Sequence, residues 1–254
     1  MDFSHVETVA SRLEVLPESA STNAALRALS ADADAWPHLS VVLTDNQTAG
    51  RGRLDRTWQT PAGSALAISV LIRDLPSRSE AIGWIPLVAG LAMADAVTVQ
   101  LAGHDVGVKW PNDVLVDDRK ICGILAESTG TAVVLGSGVN TAMTADQLPV
   151  PTATSFAVLQ RPCDEIRLVV DYLRRLDGLL SALVAWEDSD RSGIHAAVSA
   201  RCATLGREVD VTRADGSALH GTATRLDADG RLCVEASGKE HVIAAGDVVH
   251  AALA

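Results

Sequence analysis

Between Thr48 and Trp58 the chain reads Thr48-Ala49-Gly50-Arg51-Gly52-Arg53-Leu54-Asp55-Arg56-Thr57-Trp58. Glycine lets a backbone come close to a ligand. A guanidinium offers five donors in a planar fork that matches carboxylate and phosphate oxygens. Glycines alternating with arginines beside an indole therefore make a candidate anion site, with a solvated turn as the plainer alternative. A second stretch is Lys109-Trp110-Pro111-Asn112-Asp113, followed by Arg119-Lys120-Ile121-Cys122-Gly123-Ile124-Leu125. The chain has only three lysines, Lys109, Lys120 and Lys239, so two of them in so short a span stand out. An ammonium is a compact point charge suited to offsetting a phosphoryl or carboxylate oxygen during reaction. Asp113 suits a metal ion or a ribose hydroxyl; the plainer alternative makes it a turn residue and Lys109 a strand-end salt-bridge partner. The third stretch, Gly136-Ser137-Gly138-Val139-Asn140, closes an apolar run and reads as a turn with free N–H groups, a weak signal by itself.

Other chemistries lack their residues. There is no GxxxxGK[ST] loop, no GxSxG elbow and no HExxH pair in the sequence. The seven histidines are scattered, and Cys122, Cys163, Cys202 and Cys233 form neither a CxxC pair nor a disulfide framework, so reduced thiols are expected. Trp36, Trp84 and Trp186 are expected in the core, whereas Trp58 and Trp110 share segments with the cations and suit pocket walls.

These groups need elements to hold them. Residues 39–44 and 64–72 read as strands, 106–110 and 113–118 as two strands joined across Pro111-Asn112, and 123–128 and 132–140 as two more. Ser21-Thr22-Asn23 can cap a following helix. Residues 86–100 suit a buried helix, and 164–186 an amphipathic one capped by Asp164. The Pro-rich stretch 147–155 reads as a loop or lid. Beyond about residue 200, short strands separated by Gly- and Asp-rich turns predict a small β domain.

The chain has 254 residues, 21 Lys+Arg and 32 Asp+Glu, a formal charge of 21 − 32 = −11. Such an acidic chain gains little from a phosphate backbone, so nucleic acid is not an expected partner. No uninterrupted apolar run reaches the roughly 20 residues of a membrane span, and no signal peptide is visible, so a cytoplasmic location is expected.

Taken together and in order, Ser21-Thr22-Asn23, Gln47 with Gly50-Arg51-Gly52-Arg53 and Trp58, KWPND at 109–113, RKICGIL at 119–125 and GSGVN at 136–140 resemble the biotin protein ligases. The resemblance implies an α+β fold. Its mixed sheet with packed helices, of class II synthetase type, would occupy 1–200, and an SH3-like β-barrel 201–254. Because the pattern starts by residue 21, a monofunctional form is expected, without the N-terminal DNA-binding domain of some members.

The implied reaction has two steps. ATP with Mg²⁺ activates biotin to biotinyl-5′-AMP and pyrophosphate, and the biotinyl group then passes to a lysine on the carrier domain of an acyl-CoA or pyruvate carboxylase. By position in the motifs, Lys120, Arg51, Arg53 and Asp113 would be catalytic, with Asp113 also the candidate metal ligand. Ser21, Thr22, Asn23, Gln47, Gly50, Arg51, Lys120 and Gly123 would bind biotin. Arg53, Trp58, Lys109, Asn112, Gly138 and Asn140 would bind the nucleotide. Residues 50–58 and 147–155 would close as lids over a water-sensitive anhydride. A monomer or a weak, ligand-promoted homodimer is expected. A lipoate–protein ligase of the same fold and a non-catalytic biotin sensor are the alternatives.

Overall fold

The computed structural model describes residues 3–53, 56–213 and 216–250. Leu54 and Asp55 of the arginine-rich stretch, and the last four residues, lie outside them. A seven-stranded mixed sheet forms the larger part, in the order β1 (Arg12–Val15), β2 (Ser40–Thr44), β5 (Leu66–Ile72), β9 (Val133–Val139), β8 (Arg119–Ser128), β7 (Asp113–Val116), β6 (Val106–Lys109). Only β1 and β2 run parallel; the other neighbours are antiparallel. Every residue of β2 and β5 is buried, as their apolar, β-branched runs require of central strands.

The two faces of this sheet are covered unequally. Val41, Leu43, Ile68, Val70 and Leu135 join one large core with α3 (Ile85–Gln100) and α4 (Glu165–Trp186). Helix α3 is apolar all round and buried, which is why its sequence shows no polar face. Although Ser79–Gln100 is apolar enough by composition to cross a membrane, it is a core segment here. Helix α4 starts where the Asp164 carboxylate accepts the Arg167 N–H at 3.0 Å. On the opposite face, α1 (Thr22–Leu29) covers only Val42, Leu71 and Val134 through Leu26. The rest of that face is left for a cleft.

A short hairpin, β3 (Gly50–Arg51) and β4 (Thr57–Trp58), lies over the open strip. The second sheet is antiparallel, in the order β13 (Lys239–Ile243), β12 (Leu232–Ala236), β11 (Ala218–Leu226), β10 (Glu208–Arg213), β14 (Gly246–His250). It follows α5 (Ile194–Arg201), which sequence periodicity does not reveal. Val209, Val211, Leu226, Leu232 and Val248 belong to the same core as α3 and α4, so the two sheets share one interior. The Trp84 and Trp110 indoles stitch them further, donating to Ala228 O at 2.8 Å and Gly230 O at 3.0 Å.

Several expectations change. Gly136–Asn140 is not a turn: β9 runs to Val139 and pairs with β5 on one side and β8 on the other, so its N–H groups are committed to ladders. The stretch 147–155 is not a free lid in its second half. Lys120 N–H donates to Thr152 O and Thr154 N–H to Lys120 O, both at 2.8 Å, which fastens it along β8. Trp186 is not core but 48% exposed, because α4 outruns the core in its last turn, and the Arg191 guanidinium sits 4.6 Å over its ring.

Candidate active site

The floor of the cleft follows from strand register. Asp113 pairs with Gly123, Gly123 with Gly138 and Gly138 with Ala67. Two residues further along each strand, Leu125 pairs with Gly136 and Gly136 with Ser69. Side chains two apart share a face, about 7 Å apart along the strand. The open face therefore carries Gly123, Gly138, Ala67, Gly136 and Ser69 side by side, and a side chain does not fit at Gly136 or Gly138. A β-carbon on Gly138 would lie 2.8 Å from Cζ2 of Trp58, and one on Gly136 would lie 2.3 Å from Oδ1 of Asn23.

Lys120 reaches this face through an irregularity. Three residues before Gly123, it would face the other side of a regular strand. The pairing shifts between Val114 and Leu115, so that Val114 opposes Cys122 while Leu115 opposes Lys120. This bulge re-aims the side chain. Its Nζ stands 2.7 Å from Oδ1 of Asp113, and a β-carbon on Gly123 would meet that Nζ at 3.0 Å.

Around this pair the cations gather. Arg53 Nη1 donates to Oδ1 of Asn112 at 3.1 Å, and its Nη2 to Gly246 O at 3.0 Å. Asn112 is itself locked to β8, donating to Ile124 O at 2.6 Å. Burial pulls the Arg53 pKa down, opposed by Asp247 and Asp113. Arg56 grips the Asp247 carboxylate with both terminal nitrogens, a bond that raises its pKa. Burial resists ionisation of Asp247, but Arg56, Lys109 and Arg53 hold its pKa below the usual carboxylate range. Lys109 is lowered by burial, partly offset by Asp113 and Asp247. Four cations (Arg53, Arg56, Lys109 and Lys120) thus stand against two carboxylates (Asp113 and Asp247) in an acidic chain. Arg51 itself is exposed on β3.

One step along the sheet lies a neutral polar network. Gln47 Oε1 accepts the Thr22 N–H at 2.9 Å and lies 3.2 Å from the Thr22 hydroxyl oxygen. Ser69 Oγ lies 2.8 Å from Oγ1 of Thr22 and 2.6 Å from Oδ1 of Asn23. Ser21 is the α1 cap, accepting the Ala24 N–H at 3.3 Å.

The expected residues converge unevenly. Thr22, Asn23, Gln47, Gly123, Gly138, Asn112, Asp113, Lys120, Arg53 and Trp58 meet at the cleft. Asn140 is instead a buried brace whose Nδ2 donates to Thr154 O at 2.9 Å, and Trp110 is turned into the joint between the sheets. Among the described residues no group of three or more His, Cys, Asp or Glu could hold a metal by itself. Ser69 and Asp247 escaped sequence reasoning. The signal for Ser69 was a lone polar residue inside a fully apolar strand; for Asp247, 191 positions from Arg56, there was none.

Comparison with known proteins agrees with this geometry. Residues 16–140 match the Biotin/lipoate A/B protein ligase family, and residues 204–251 match the Biotin protein ligase C terminal domain. The fold class is thus that of acid–protein ligases. The chain is 37% identical to the biotin–[acetyl-CoA-carboxylase] ligase of Mycobacterium tuberculosis over 94% of this chain and 89% of that one. It is 35% identical to its Paracoccus denitrificans counterpart over 82% and 88%. The biotin protein ligase of Aquifex aeolicus, solved with biotin and ATP, shares the fold with a TM-score of 0.78 at 22% identity, over 94% of this chain and 99% of that one. The chain belongs to the biotin protein ligase family.

Proposed function

We propose that the protein activates biotin with ATP to biotinyl-5′-AMP and transfers it to a lysine on the carrier domain of a biotin-dependent carboxylase. The observation that carries this reading is the Lys120–Asp113 pair, set two strand positions from a neutral polar pocket on one sheet face. The polar pocket suits a ureido ring, through Thr22 and Gln47 with Ser21 and Asn23 at the mouth of α1. The cations suit a carboxylate meeting a triphosphate.

In the first step a biotin carboxylate oxygen attacks the α-phosphorus, and the bond to pyrophosphate breaks. Two anions must approach, so charge compensation dominates the barrier. Lys120 would bridge the carboxylate and the α-phosphate, steered by Asp113. Arg53 and Arg51 would close over the phosphates, and Lys109 would face the departing pyrophosphate. Trp58 would lie against the adenine over Gly138. In the second step the acceptor amine attacks the anhydride carbonyl and AMP leaves, with Asp113 the nearest carboxylate to draw its proton. Mg²⁺ would come in on the ATP phosphates, which needs one or two carboxylates rather than an all-protein cage; Asp113 would hold it, since Asp247 is gripped by Arg56.

We divide the chain at residues 200 and 201 into catalytic and C-terminal parts. Free cysteines and ATP use favour the cytoplasm, and the reading is of a monomer or a weak, ligand-promoted homodimer. The test is pyrophosphate release with Mg-ATP plus biotin or lipoate, without acceptor, and mass spectrometry of the bound product. Retained biotinyl-AMP supports the assignment. Release with lipoate alone moves it to the sister chemistry, and no release with either acid leaves a non-catalytic binder.

A further inference from the structure

The polar pocket is wired to the protein surface. Glu127, at the outer end of β8 and 29% exposed, receives the Arg27 guanidinium on one oxygen at 2.7 Å. Its other oxygen receives Nδ2 of the buried Asn23 at 2.8 Å, and that same Nδ2 also points at Leu125 O, 3.3 Å away. Both of these partners are pure acceptors: a carboxylate has no proton and neither does a carbonyl. They therefore fix which end of the Asn23 amide carries the hydrogens. Oδ1 must then face Ser69, and at 2.6 Å the single Ser69 proton is committed to it. Ser69 has none left for Thr22, so the one Thr22 hydroxyl proton goes across the 2.8 Å contact to Ser69 rather than across the longer 3.2 Å contact to Gln47 Oε1. Gln47 is oriented independently, because its Oε1 accepts the Thr22 N–H, which leaves its Nε2 as a donor turned toward Gly50.

We propose that Glu127 is a positioning and specificity-determining residue for the acid substrate. By accepting from Asn23, it sets the direction of the hydrogen-bond chain Asn23–Ser69–Thr22 and so the donor–acceptor pattern shown to a ureido group. This rests on the biotin reading of the cleft. A neutral amide in place of the carboxylate both donates and accepts. Asn23 then keeps only the longer 3.3 Å contact to Leu125 O to hold its orientation, and when it turns over Ser69 donates to Thr22 and the pattern reverses. The Arg27–Glu127 ion pair is exposed and contributes little stability by itself; its role is to keep the carboxylate aimed at Asn23.

The test is Glu127→Gln, near-isosteric, alongside Glu127→Ala, in the full chain. KM and kcat of pyrophosphate release are measured for biotin and for 2-iminobiotin, whose guanidinium donates where the ureido oxygen accepts. The expected result is a biotin KM raised about tenfold, as for loss of a charge-assisted bond to a buried amide. The kcat and the ATP KM stay within about twofold, and the preference for biotin over 2-iminobiotin narrows. Glu127→Asp, which keeps the acceptor, recovers part of that preference. Unchanged biotin KM and preference in an active protein overturn the proposal alone, as does an equal loss across kcat and both KM values, the mark of a merely structural role. Wild-type protein inert toward biotin overturns the functional reading and this one with it.

Discussion

Replacing Lys120 with methionine removes the ammonium beside Asp113 while keeping the stem that packs over Gly123. Loss of a charge aimed at the developing transition state costs about 100-fold or more in pyrophosphate release. Biotin affinity, measured by calorimetry without ATP, falls far less, since the Thr22–Gln47 contacts persist. A sensor that never adenylates would show no such split. Gly138→Ala tests the nucleotide side: its new carbon meets the Trp58 ring at 2.8 Å and must displace it. Overpacking of this kind costs on the order of 1 kcal/mol, read as a several-fold rise in the ATP KM with the biotin KM unchanged. The residues these tests address were legible in the sequence because their types and local spacing announce them. Ser69 and Asp247 were not, since each acquires its partner only through strand register or long-range docking.

At the scale of elements, the Asp164 cap on α4 should be separable from function. Asp164→Ala removes the acceptor of the Arg167 N–H and costs about 1 kcal/mol. That corresponds to a melting shift of about 2–4 °C in a chain of this size, with catalysis intact. Helices α1, α3 and α4 and most strands lie where periodicity and caps place them. The misreadings have one physical origin. Gly136 and Gly138 look like turn residues, yet they are strand residues kept small because Asn23 and Trp58 lie against them. The prolines after residue 147 do stop a strand, but the chain beyond them is tied to Lys120 by backbone bonds that no local pattern encodes. The bulge in β8 is equally invisible, although it alone turns Lys120 to the working face.

At the scale of the whole molecule, the arginine hairpin rests on the second sheet. Asp247→Ala releases Arg56 and leaves Arg53 held by Asn112 and Gly246 O alone. The expected outcome is a raised ATP KM and faster tryptic cleavage around residues 51–56, with biotin binding in the absence of ATP unchanged. The joint between the sheets should also be acid-sensitive. His250 lies half-buried against Oγ1 of Thr204, which accepts the Trp110 N–H, and burial pushes its pKa down from 6.5 to about 4. The unfolded chain takes up that proton near pH 6.5 and the folded chain does not, so stability is full above 6.5 and falls as pH drops toward 4. With solvent screening of a half-exposed ring, the loss is about 1 kcal/mol. His250→Asn should flatten that part of a denaturation-versus-pH curve. The placement of the indoles also gives the protein a built-in optical gauge. Trp84 and Trp110 bridge the two sheets and Trp58 lies over the cleft, while Trp36 is fixed under Arg12 and Trp186 faces solvent. Single Trp→Phe replacements therefore divide the emission into one colour for parting of the halves and another for arrival of a nucleotide, with no dye attached.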